Sequence, residues 1–427
     1  MTSDNDIIFW LALNDKRGLI PHYLIDIIIS KFDDLKKFWY SSKKEMVNVG
    51  LKSKDADYFI NYINNINLDK YKDILQYVRK NNIKIIKYID DEYPSMLKLS
   101  GTETHEPPIL LFRKGLKMNF IKSVAIVGTR EASDYAKEKT REFSRDLAIE
   151  RYWIISGMAL GIDHEAHSGA LEVKGGKTIA VLPWMVPVTP ANHKELSEYI
   201  VHNGCILSEI LHRPRAPPGS NIIKYPFITR NRITSGLSDF VIAVESGPSG
   251  GTIRQIDFAR AQHKDVYTLY PELGSPQNIV DGFNLMIKKG AKPIKKIKDI
   301  NLKLYEQVRK NTKLYMSKID PSSFRLSYGY NIEDAINRFL TNSQIVIDRN
   351  TIEIIPLENH VDNYKFELKY YLIHSHDWQA ERPACPKCGS RYVVSRGRQW
   401  HCGNCGRYFT KQRQFNKPKS RKNLDQI

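Results

Sequence analysis

Ser123-Val124-Ala125-Ile126-Val127-Gly128-Thr129-Arg130-Glu131-Ala132-Ser133 is the stretch whose reading decides the fold. A mostly apolar run with no polar alternation reads as a short strand buried on both faces. It meets a glycine, then a polar turn, and Ser133 stands where a helix N-cap belongs. Beyond it, Tyr135–Glu150 places Ala136, Thr140, Phe143 and Leu147 on one helical face. The same alternation recurs downstream. Strands are expected at Ser123–Val127, Trp153–Ile155, Thr178–Leu182, Cys205–Leu207, Phe240–Val244 and Val266–Leu269. Helices are expected at Tyr135–Glu150, His164–Val173, Lys194–Val201 and Ile253–Gln262. Buried strands alternating with amphipathic helices give an α/β, doubly wound, mostly parallel sheet, and such sheets bind ligands past the carboxyl ends of their strands.

Four strand-to-helix junctions carry chemistry. Gly128, Thr129, Arg130 and Ser133 combine a close-approach glycine, two hydroxyls and a guanidinium at a helix N-terminus, a set suited to phosphate. The alternative is an ordinary βα turn capped by Ser133. Ser156-Gly157-Met158-Ala159-Leu160-Gly161-Ile162-Asp163 is a second such turn, with Ser156, Gly157 and Gly161 as anion-binding candidates and Asp163 as its N-cap. His167, alone in an apolar helix, reads as a core residue. Lys224-Tyr225-Pro226-Phe227-Ile228-Thr229-Arg230-Asn231-Arg232 interleaves cations and aromatics, as backbone phosphates and stacked bases require. Its candidates are Lys224, Phe227, Arg230, Asn231 and Arg232, and the alternative is a solvated loop with a structural asparagine. Ser249-Gly250-Gly251-Thr252 opens the last helix of the set.

The chain has 427 residues, 41% of them hydrophobic and 26% charged, ordinary for a globular protein and against disorder throughout. Its formal charge is +18, which argues for a polyanionic partner. No basic n-region precedes the apolar run at Ile7–Leu13, and no apolar stretch reaches membrane-spanning length. A cytoplasmic protein without membrane attachment is the expectation.

Twelve of the cations and two of the acids lie in residues 381–427, so ten of the eighteen net charges belong to that tail. Four of the five cysteines lie there too, as Cys385-x2-Cys388-x13-Cys402-x2-Cys405. Paired Cys-x-x-Cys knuckles at this spacing predict a structural Zn²⁺ held by four thiolates, with His401 as the one rival ligand. Four thiolates leave no open position for catalysis. The surrounding Arg391, Tyr392, Arg396, Arg398, Trp400, Arg407, Tyr408 and Phe409 suit a nucleic-acid face, with protein docking as the alternative. Cys205, alone in a strand, belongs to the core.

The expected organisation follows from these patterns. Residues 1–71 form a helical domain, read as helices at Ile7–Leu13, Tyr23–Ile29, Phe32–Phe38 and Lys54–Ile63. Val47-Asn48-Val49-Gly50-Leu51 lends it a helix-hairpin-helix character, against a plain helical bundle without DNA contact. Residues 72–115 read as a connector, in which Tyr93-Pro94 and Pro107-Pro108-Ile109-Leu110-Leu111-Phe112 suggest turns leading into an extended segment, and 116–293 as the sheet domain. Residues 294–380 read as an α+β region resembling part of a winged helix, with a helix at Asn331–Leu340 and a hairpin through 345–347 and 351–355. A zinc ribbon at 381–415 and a basic tail at 416–427 complete the chain.

These motifs resemble the DprA/Smf family of DNA-processing proteins, within the Rossmann-like SLOG superfamily. The resemblance is carried by Val127-Gly128-Thr129-Arg130-Glu131-Ala132-Ser133, Ser156 to Asp163, Ala166-His167-Ser168-Gly169-Ala170-Leu171 and Thr178 to Leu182. Ser208-Glu209, Arg230 to Ser238 and Gly290-Ala291 extend it, and Tyr93-Pro94 and Pro107-Pro108 match the family's lead-in, so it covers residues 85–293. Thr129 replaces a usual Ser, Leu160 replaces a usual Arg, and Pro226 precedes Phe227 instead of following it. The resemblance implies an extended Rossmann-like sheet and a non-enzymatic protein that binds single-stranded DNA. It further implies that the protein dimerises and delivers DNA to a RecA-type recombinase, with Arg130, Lys224 and Arg230 at the phosphates. The ribbon is similar to those of transposases and transcription factors, which also suggests a transposon-associated accessory protein. The alternative from the same superfamily is a nucleotide-binding sensor or nucleotide hydrolase acting through the ribbon. The hydrolases carry a Glu in their glycine loop, where this chain has Gln255, with Asp257 the nearest acid.

Overall fold

The computed structural model describes residues 4–15, 25, 28, 31–32, 34–98, 106–118, 122–215, 224–262 and 264–303, and the backbone of strands at 313–320, 323–329, 353–356, 393–396, 399–402 and 408–409. The chain divides into two compact units, residues 1–311 with 359–367, and residues 312–358 with 368–427.

Nine strands build the sheet of the first unit: β1 Lys84–Lys87, β2 Leu110–Gly115, β3 Ser123–Val127, β4 Trp153–Ser156, β5 Thr178–Val181, β6 Cys205–Ser208, β7 Phe240–Ala243, β8 Asp265–Leu269 and β9 Lys292–Ile294. Their order is β1-β2-β6-β5-β4-β3-β7-β8-β9. From β6 to β9 all neighbours are parallel, and β2 and β1 add antiparallel at the β6 edge. The doubly wound reading of the sequence is thus present, with two strands inside the expected connector widening it. Chain order reverses between β3 and β7, whose register pairs Ile126 with Ile242 and Val127 with Ala243.

Period-two alternation divides β3 between two cores. Val124 and Ile126 pack with Phe143, Leu147, Ile154, Phe240 and Ile242, while Ala125 and Val127 pack with Val241, Ala243, Ile253, Ile256 and Ala259. The described helices of this unit are α1 Asp4–Asp15, α2 Leu35–Trp39, α3 Lys43–Asn48, α4 Ser53–Asn65, α5 Asp69–Lys80, α6 Ser95–Lys98, α7 Asp134–Ile149, α8 Ile162–Leu171, α9 Lys194–Asn203, α10 Lys224–Thr229, α11 Asn231–Gly236, α12 Gly251–Ala261 and α13 Gln277–Lys288. The boundary expected at 71/72 falls inside α5. None of the described helices is long and apolar enough to cross a membrane.

The N-terminal helices share one continuous core with β1, β2, β5 and β6. Trp39 is its hub, with its ring 5.1 Å from Phe9 and 5.3 Å from Phe59. Two polar ties add direction. The buried Lys87 ammonium lies 3.2 Å from Asp6 of α1, and Asn14 Nδ2 donates to the Glu209 carbonyl just past β6 at 3.1 Å. A short turn with Gly50 at φ 105° joins α3 to α4. Most of the helix expected at Tyr23–Ile29 lies outside the described residues.

In the second unit, β10 Lys313–Asp320 pairs antiparallel with both β11 Ser323–Gly329 and β12 Glu353–Pro356. The described hairpin is therefore 313–329. The expected helix at Asn331–Leu340 and the strand at 345–347 lie outside the described residues. A separate antiparallel sheet joins β13 Val393–Arg396, β14 Gln399–Cys402 and β15 Tyr408–Phe409, with Val393 opposite Cys402 and Trp400 opposite Phe409.

His167 on α8 is fully buried against β5, as a core reading requires. Thr178 gives its only hydroxyl proton to the Ile154 carbonyl at 2.7 Å, so the 2.6 Å contact with His167 Nδ1 needs the proton on that nitrogen. Burial, with His164, His193 and Arg230 nearby, lowers the His167 pKa to about 3. Its folded-state pKa lies below its unfolded one, so the stability it contributes is complete above about pH 6.5 and is lost as pH falls toward 3. Urea unfolding measured across that window should show a shallower acid limb for His167→Asn than for the parent chain.

Candidate functional site

The loops after β3, β4 and β7 meet at the point where strand order reverses, where open α/β sheets place ligands. The first loop is closed by the protein's own carboxylate. Glu245, buried just beyond β7, accepts the Ser133 N–H at 2.9 Å and the Ser133 hydroxyl at 2.7 Å, while its carbonyl accepts the Thr129 N–H at 2.8 Å. Ser133 also caps α7 by accepting the Ala136 N–H at 3.1 Å. An internal anion thus sits on the positive end of α7, the place a bound phosphate would take.

The second loop is closed in the same way. Asp163 is not the N-cap of α8; that position is Gly161. The Asp163 carboxylate, inside the first turn, reaches back to accept the Gly157 and Ala159 N–H groups at 3.2 and 3.3 Å. Burial raises its pKa, against the opposing pull of Arg230. Ser156, fully buried, donates its hydroxyl across the sheet to the Ile126 carbonyl at 2.6 Å. The glycines make room for protein atoms. A Cβ on Gly161 (φ 71°) would lie 2.5 Å from the Thr129 and Arg130 carbonyls, and one on Gly157 would lie 1.7 Å from the Arg230 guanidinium. Gly128 likewise lies against the Ile162 side chain.

Arg230 fills the space above Gly157. Its Nη1 donates to the Val181 carbonyl at 2.7 Å, and its Nη2 lies 4.0 Å from Asp163. Arg232, two residues on, faces elsewhere. It forms a buried two-pronged pair with Glu209 at 2.8 and 3.0 Å and donates through Nε to the Glu106 carbonyl at 2.7 Å. It does not join the site's cations. Asn231 contributes its carbonyl, which accepts from Gln255 Nε2 and Ser235 Oγ at 3.0 Å each. The Lys224 side chain lies outside the described residues; its backbone opens α10.

The exposed part of the site is a rim. Arg130 is exposed, its guanidinium 5.9 Å from the Phe227 ring. Phe227 meets Trp184 edge-on at 5.2 Å, and the Arg213 guanidinium lies 5.5 Å from the centre of the Trp184 ring. Leu160 is exposed at the tip of the second loop. The start of α12 is open: Gly250 caps it without a side-chain hydrogen bond, Ser249 and Gly251 are exposed, and Thr252 is buried. Trp184, Arg213 and Glu245 were not among the residues expected from sequence. A tryptophan in Pro183-Trp184-Met185, just past a buried parallel strand, was the available signal for the first.

Residues 84–305, half of the chain, match the family described as DNA recombination-mediator protein A. The chain belongs to that family. Protein Smf of Synechocystis is 32% identical over 268 residues, covering 61% of this chain and 64% of that protein. The DNA processing protein DprA of Streptococcus pneumoniae is 34% identical over 218 residues, covering 50% of this chain and 71% of that one. The crystal structure of the S. pneumoniae protein superposes with a TM-score of 0.54 at 26% identity, over 70% of this chain and 97% of that chain. The DprA likeness expected from the motifs therefore stands, and with it the mixed α/β fold.

The Arg232–Glu209 pair has a direct test. Arg232→Ala leaves a buried carboxylate without its partner and should cost about 3–5 kcal/mol of unfolding free energy in urea titration. The double replacement Arg232→Met with Glu209→Leu should recover most of that loss.

Proposed function

We propose that this chain is a DNA-processing protein that holds the backbone of single-stranded DNA along the rim of its sheet and delivers it to a RecA-type recombinase. The observation that carries this reading is the occupation of the crevice by Glu245, with an exposed Arg130 on Phe227 beside it. A mononucleotide phosphate at the end of α7 would compete with a carboxylate already holding both Ser133 donors. A strand crossing the rim meets no such obstacle. Its phosphates meet Arg130 and the basic turn opened by Lys224, with Arg230 adding positive potential from below and bases stacking toward Phe227.

The chain acts without catalysis in this reading. Gln255, at the position where related hydrolases carry a glutamate, is buried and donates to the Asn231 carbonyl, which leaves no acid or base there. Family membership supports a role in DNA processing and recombination, and a homodimer is part of the proposal.

The tail is a zinc ribbon that adds non-specific attraction. The donor set suits the metal, being four thiols in two Cys-x-x-Cys pairs. Cys402 ends the middle strand of a three-stranded antiparallel sheet. Cys385, Cys388 and Cys405 lie outside the described residues. The zinc has a structural task, to hold the knuckles that present Arg396, Arg398 and Arg407.

Two measurements test these statements. Arg130→Ala should weaken single-strand binding in a fluorescence titration and lower the salt-dependence slope by about 0.7, the loss of one phosphate contact. Unchanged affinity and slope, or tight mononucleotide binding without affinity for DNA, would overturn the rim reading. Metal analysis of the full chain should find one zinc per chain. Cys388→Ser and Cys402→Ser should release it and reduce DNA affinity, while wild-type affinity after zinc loss would assign the ribbon to protein docking.

A further inference from the structure

Several described cations of the sheet domain lie on carboxylates, such as Arg141 on Glu165, Lys289 on Asp257 and Lys292 on Asp265. Arg130 and Arg213 differ. Each lies over one ring of a single aromatic pair, Phe227 and Trp184, whose centroids are 5.2 Å apart. A guanidinium held near a ring face by its charge, without a carboxylate on it, leaves its N–H donors for a phosphate.

The ground beneath Arg213 is rigid. Trp184 is 3% exposed, and its indole N–H donates to the Pro187 carbonyl at 3.0 Å. The backbone carrying Arg213 continues the pairing of β5 with β6 beyond the strand ends. Met185 N–H donates to the Ile210 carbonyl, Val186 N–H to Leu211, and Arg213 N–H to Val186, at 2.8, 2.8 and 2.9 Å. A parallel bridge joins Val186 to His212. The backbone that carries this side chain is thereby fixed before any ligand arrives, which lowers the ordering cost of binding.

We propose that Arg213 is a second phosphate anchor for single-stranded DNA, extending the path of the strand from Arg130 across the Phe227–Trp184 pair. The inference rests on the rim reading above and adds a position and a direction to it. The buried Trp184 is not a platform for bases; it is the support that aims Arg213. The strand therefore runs along the carboxyl ends of the strands, from the end of β3 toward the end of β6.

The test uses the full-length chain, fluorescence anisotropy with oligothymidines of increasing length, and salt titration. Arg213→Ala should lower the slope by about 0.7, equivalent to about a fourfold loss of affinity at 0.15 M salt. The loss should appear only once the oligonucleotide is long enough to reach past Arg130. Arg213→Lys should keep the slope and lose part of the affinity, because an ammonium keeps the charge but lacks the guanidinium's forked donors for a phosphate. Arg213 is exposed, so thermal unfolding of both variants should match the parent chain. Wild-type slope and affinity for Arg213→Ala at every length, with Arg130→Ala impaired, would overturn the anchor and leave the rim reading intact. Loss in Arg213→Ala with Arg130→Ala unaffected would uphold the anchor and remove Arg130 from the path. No effect in either variant would overturn both.

Discussion

The carboxylate of Glu245 on the N-terminus of α7 is the contact on which the rest of the site depends. It joins the loop after β3 to the loop after β7, across the line where strand order reverses. With that junction fixed, the Thr129 and Arg130 carbonyls form a surface on which Gly161 can rest, and Ile162 packs against Gly128. The second loop then folds back on Asp163, and Arg230 settles over Gly157. The two carboxylates satisfy backbone donors that a helix or turn at the end of a parallel sheet leaves open. The outcome is a site whose inner donors are engaged by internal anions and whose positive charge is carried outward, to side chains at the rim.

Much of the fold was legible because buried parallel strands advertise themselves as short apolar runs between turns. The strands β3 to β8 were placed on that basis. Strands β1 and β2 were harder. Lys84-Ile85-Ile86-Lys87 is four residues long, and Leu110–Gly115 follows two prolines, so neither shows a period. The place of β2 is set by β6, at least ninety residues away, and β1 is then set by β2, which no local pattern encodes.

The site was legible in residue type and not in assignment. A glycine announces that a Cβ would collide with something, and the collision partner is invisible in one dimension. At Gly157 it is a guanidinium and at Gly161 a backbone, where a phosphate was the expectation. Arg230 and Arg232 illustrate the same limit. Two like residues in one short segment diverge because Asp163 lies below the first and Glu209 beside the second. The helical N-terminus, expected as a separate domain, takes part in holding Glu209, since α1 bonds to that residue's carbonyl through Asn14.

The strand β9 has a consequence for assembly. It ends the sheet in the described order, and it reads Lys292-Pro293-Ile294, flanked by Lys295 and Lys296. Proline brings no amide hydrogen to an incoming strand, and the lysines would be crowded against those of a second copy. Growth of the sheet by edge-to-edge addition is therefore opposed at this border. At this border a second subunit would have to meet a helical or loop face, and crowded copies of the chain are shielded on this side from running together into continuous β-structure.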